Sequence, residues 1–95
     1  MNNQEIDNLF SLSFKYLNEI LKDDGLQKEL KQIVGNMNVE YVKKSINYIH
    51  YNKNQRFINC YKIKIDIEID EKIIGYYDLY LDSDRNFIDE FFVIH

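Results

Sequence analysis

The sequence predicts an α+β fold, with an N-terminal helix or bent helix pair packed on a curved antiparallel meander of three to four strands. Three observations carry that prediction. Apolar residues recur every three to four positions over the first third of the chain, the repeat of a helix with one buried face. From Phe57 to Ile69 the repeat changes to two, as in a half-buried antiparallel strand. Short polar turns separate the later apolar segments, so consecutive strands must be antiparallel neighbours. The 95 residues form one domain, helical over 1–35 and sheet over 39–95. A chain of this size buries roughly two thirds of its unfolded surface, enough for one modest core.

The first helix is expected from Asn3 to Asp23. Ile6, Leu9, Phe10, Leu17, Ile20 and Leu21 lie on one stripe, with Ser13 and Phe14 between them. Asn2 or Asn3 can cap it, Glu5 and Asp7 suit the positive end of its dipole, and Gly25 marks a stop. A second helix from Leu26 to Val34 would turn Leu26, Leu30, Ile33 and Val34 inward and end at Gly35; alternatively Gly25 is a kink in one bent helix. Asn36 to Asn38 reads as a loop.

Val39 to Asn52 fits two descriptions. Val42, Ser45, Ile46 and Ile49 have helical spacing, whereas Val39/Tyr41 and Ile46/Tyr48/His50 alternate. The density of aromatic and β-branched residues favours a strand with a bulge near Lys43-Lys44. The next strand places Phe57, Tyr61, Ile63, Ile65, Ile67 and Ile69 on one face and Lys62, Lys64, Asp66 and Glu68 on the other. Asp70-Glu71-Lys72 turns the chain. Ile73 to Asp82 then points Tyr77, Leu79 and Leu81 inward and Tyr76, Asp78 and Tyr80 outward. After a hairpin at Ser83 to Asn86, the last strand is apolar on both faces, with Phe87, Phe91 and Val93 on one and Ile88, Phe92 and Ile94 on the other.

Charge is unevenly distributed. Asp66 to His95 holds nine carboxylates against Lys72 and Arg85, a net −7, while residues 1–65 carry +3. An acidic sheet beside a mildly basic front suits a basic partner. A pI near 5.1 disfavours nucleic acid, which needs a basic stripe. No apolar run approaches the ~20 residues of a membrane helix. Met1 to Asn8 is polar with no signal-peptide pattern, so a cytoplasmic location is expected. The chain has no Pro, Ala, Thr or Trp and has fourteen Ile, a bias toward AT-rich codons that reflects genome composition before function.

No catalytic, cofactor or metal-binding residue is assigned. Asp82-Ser83-Asp84-Arg85-Asn86 begins like a calcium loop, but the positions that would hold Gly and a bidentate Glu hold Phe87 and Val93. Asp and Asn favour hairpin turns for their own backbone reasons. His50, His95 and the single Cys60 show no zinc spacing, and a Cys–His nucleophile would need a third orienting group. The outward sheet face interleaves tyrosines with acids, and tyrosine is enriched at protein interfaces. Asp66, Glu68, Tyr76, Asp78 and Tyr80 are the expected partner-binding residues, with Asp82 and Asp84 as a rim. The competing description is a solvated face with cross-strand ion pairs. The doubly apolar last strand also admits a homodimer.

The order of one or two helices followed by a meander through Gly75-Tyr76-Tyr77-Asp78-Leu79-Tyr80-Leu81-Asp82 and Asn86-Phe87-Ile88-Asp89-Glu90-Phe91-Phe92 resembles small cystatin-like or NTF2-like immunity proteins. These accompany bacterial polymorphic toxins, including contact-dependent growth inhibition systems. The resemblance implies a cytoplasmic, non-enzymatic inhibitor that occludes the active site of a cognate toxin C-terminal domain, often a basic nuclease. It rests on architecture, size and acidity, and transfers no residue roles. The rival expectations are an NTF2-like ligand-binding or enzymatic domain, with Tyr61 and Tyr77 facing a pocket, and a phage or plasmid inhibitor of a host protein.

Overall fold

The computed structural model describes residues 1–51, 53 and 57–95. Two helices, α1 (Asn3–Ile20) and α2 (Asp24–Val34), precede four strands, β1 (Glu40–Ile49), β2 (Cys60–Ile69), β3 (Lys72–Asp82) and β4 (Phe87–Ile94). The strands form one open antiparallel sheet in sequence order, leaving β1 and β4 as edges.

Helix α1 starts where the Asn2 side chain accepts the Glu5 N–H at 2.8 Å. It lays Leu9, Phe10, Ser13 and Leu17 against the sheet. There they meet Ile63, Ile65, Tyr77, Leu79 and Leu81, which close the interior with side chains. Gly25 is not the stop expected from sequence. Asp23 caps a separate helix by accepting the Leu26 N–H at 2.9 Å, and Gly25 falls in its first turn. Gly35 does end α2, at φ 61°, a region that glycine enters without the Cβ penalty. Leu26, Leu30 and Ile33 of α2 line a shallow groove with Phe92 and Ile94, which places this helix on the same side of the sheet as α1.

The segment with two sequence descriptions is a strand, and its register shifts between Lys43 and Ser45, where the bulge was expected. Its expected end at Asn52 lies outside the described residues. Two facings differ from expectation. Strand β2 begins at Cys60, and Phe57 instead crosses to the outer face, stacked on Tyr80 with ring centroids 4.1 Å apart. A register shift opposite Tyr80/Leu81 leaves Ile88 unpaired and returns Phe87 to the helix side, where its ring meets Tyr16 at 5.3 Å. Gly75 is required by close approach: a Cβ there would fall on the Val93 carbonyl oxygen of β4.

Candidate protein-binding face

Both helices cover one face of the sheet. Among the described residues the other face has no helix of its own, and the register arranges its residues in rows across the strands. Val42, Asp66, Tyr76 and Val93 make one row. Ser45, Lys64, Asp78 and Phe91 make the next, and Asn47, Lys62, Tyr80 and Asp89 the third. Beyond the first row Glu40 stands directly opposite Glu68, a like-charge pair that destabilises an isolated sheet.

The face therefore gathers Asp66, Tyr76, Asp78 and Tyr80, as alternation along two strands requires. Glu68 shares it but sits past a register shift at Ile67/Glu68, at the sheet's end beside the Asp70-Glu71 turn. Asp66, Asp78 and Tyr80 do not project into solvent; they are 7%, 5% and 8% exposed. The two lysines of β2 account for part of this cover. Lys62 Nζ lies 3.8 Å from Asp78 Oδ2 and Lys64 Nζ 3.7 Å from Asp78 Oδ1. Such stems shield what lies beneath them while their charges reach water. Phe57 covers Tyr80, and Phe91 meets Phe57 and Tyr80 edge-on at 6.2 and 5.8 Å. Burial pushes the Asp78 carboxyl above the usual range, against the pull of Lys62 and Lys64.

The remaining acids of the sheet half are dispersed. Asp82 is a turn residue: its Oδ1 accepts the N–H groups of Asp84 and Asn86, each at 2.9 Å, and fixes the hairpin. Asp84 is exposed at the tip of that hairpin. Ser83 Oγ donates to the Asn59 carbonyl at 3.1 Å and lies 2.8 Å from the Tyr48 hydroxyl, tying the hairpin to the β1–β2 connection. Glu90 faces the helices and accepts the Tyr77 hydroxyl at 3.0 Å. The exposed carboxylates thus concentrate at the Glu40–Glu68 end and on the hairpin tips instead of forming one acidic sheet. Sequence reasoning missed Phe57, Phe91 and Val42 as members of the face, because their facing depends on register and on the path of the β1–β2 connection.

Two side chains that could do covalent chemistry, Cys60 and Tyr77, are buried. Cys60 is fully buried, and burial pushes its thiol up, away from the nucleophilic thiolate. Tyr77 is pushed up further, by burial first and then by the Glu90 charge beside it. The His50 ring rests against Tyr48 at 4.7 Å. Among the described residues no three His, Cys, Asp or Glu side chains are grouped for a metal ion, and no helix is long and apolar enough to cross a membrane. Comparison with protein-family models, with curated proteins and with solved structures finds no match.

Proposed function

We propose that this chain is a non-enzymatic binding module that neutralises a basic partner protein through its open sheet face, in the manner of a cytoplasmic immunity protein that occludes a cognate toxin domain. The observation that carries this reading is the face itself. It sets Tyr76, Phe91, Val42 and Val93 around buried carboxylates on a rigid antiparallel sheet, and it holds Glu40 and Glu68 against each other. Aromatic anchors on a rigid element provide desolvated contacts at low entropic cost. A like-charge pair at the rim is relieved when a cation arrives, which favours a basic partner and speeds its approach. Toxin domains of the basic nuclease type have that character, and the neighbouring gene separates the immunity reading from a phage or plasmid inhibitor of a host protein. The buried, neutral Cys60 and Tyr77 support binding over catalysis.

The test is binding to the product of the adjacent upstream gene, expressed as a catalytically inactive domain. Glu40→Lys, Glu68→Lys and Asp66→Asn together should slow association about tenfold or more and flatten its salt dependence. Co-expressed with active toxin, the triple variant should protect growth less well than the wild type. Unchanged association and full protection would contradict the proposal.

A further inference from the structure

Asp78 is in an unusual state for a buried carboxylate. Its Oδ1 is out of solvent and accepts no hydrogen bond among the described residues. Lys62 and Lys64 approach only to 3.8 and 3.7 Å, well beyond the roughly 2.7–2.9 Å of a charge-assisted hydrogen bond. Lys64 is the direct cross-strand partner of Asp78 and Lys62 a diagonal one, and neither closes to hydrogen-bond distance.

The surroundings suit a cation. Tyr76 and Tyr80 flank Asp78 on the same face of β3, and Phe91 is its partner on β4. Lys64 Nζ already stands over the Tyr76 ring, 4.0 Å from its centroid. An acidic floor with aromatic walls is the chemistry that recognises organic cations. The loosely held ammonium of Lys64 shows that a positive group fits there.

We propose that this cradle is an arginine-accepting subsite, in which a guanidinium from the partner protein displaces the Lys64 ammonium and forks onto Asp78 between the rings of Tyr76 and Phe91. A guanidinium suits the cradle better than an ammonium does. It is planar, stacks on aromatic faces, is weakly hydrated, and can satisfy both carboxylate oxygens at once. The displaced Lys64 has Asp66 two residues along the same face of β2, so its charge keeps a carboxylate neighbour. The inference rests on the binding reading above for the source of the arginine, but the cradle can be tested without the partner.

The experiment is an NMR titration of the full chain with N-acetyl-arginine methylamide, following the ring resonances of Tyr76, Tyr80 and Phe91. Saturable shifts are expected in the wild type. Lys64→Met, which removes the competing ammonium and keeps the stem, should tighten binding about tenfold. Asp78→Asn should abolish it. Phe91→Ala should weaken it about threefold, which provides a second reading if the Asn variant does not fold. N-acetyl-lysine methylamide should bind more weakly. No saturable shift in the wild type, even if Lys64→Met binds, would make Lys64 the permanent occupant and overturn the proposal. Retained binding in Asp78→Asn, or equal binding of the lysine probe, would overturn it too. A partner complex that tolerates Asp78→Asn would remove the subsite and leave the binding module standing.

Discussion

Ser13 lies in the apolar stripe of α1, fully buried, and its hydroxyl makes no hydrogen bond among the described residues. A buried hydroxyl without a partner costs about 1–3 kcal/mol. Ser13→Ala removes that cost and raises helix propensity, so it should stabilise the fold by about 1 kcal/mol in urea denaturation; a loss of stability would mean that the hydroxyl has a partner. Asp78 makes a pH-dependent prediction. Its folded pKa is raised, so the native state holds the proton more tightly than the unfolded chain does. Its contribution therefore worsens as pH rises through the raised pKa and recovers as pH falls toward the ordinary carboxylate range. The stability advantage of Asp78→Asn over the wild type should be present near pH 7 and vanish near pH 4, by denaturation at both pH values. Alternation placed Asp78 on the outer face from sequence alone. Its burial was not legible there, because the cover comes from side chains that register brings across from neighbouring strands.

Among the elements, the strands whose polar residues alternate were readable and the strand whose polar residues do not was not. In β1 the consecutive Lys43 and Lys44 break the alternation and reveal the bulge. In β4 the two polar residues, Asp89 and Glu90, are adjacent and face opposite sides, so neither records the phase, and the shift at Ile88 that turns Phe87 toward Tyr16 left no trace in the pattern. Gly25 misled for a related reason: glycine fits both a helix end and a helix first turn, and the cap at Asp23 decides between them. Gly75 was legible as a strand residue but not as a contact point. Gly75→Ala would drive a Cβ into the β4 backbone at Val93 and Ile94, which cannot yield as a flexible side chain would. It should cost about 3 kcal/mol or more, with the loss of amide protection concentrated in β4. A variant as stable as the wild type would contradict the pairing of β3 with β4 at this register.

At the scale of the molecule, composition foretold the sign of the charge but not its placement. The −7 of the sheet half is spread over two hairpin turns, an inward Glu90 and an outer face where Lys62 and Lys64 stand against Asp66 and Asp78. If this surface binds a partner as proposed, recognition depends on rings and on a few placed carboxylates more than on a broad field. A second apolar region, at Ile33 and Met37 near α2, lies on the helix side and provides an internal contrast. Hydroxyl-radical footprinting of a purified complex with the proposed basic partner reports both regions at once. The account predicts protection of Tyr76, Phe91 and Val42, with Ile33 and Met37 unchanged. Protection confined to Ile33 and Met37, with the outer rings as reactive as in the free chain, would contradict it.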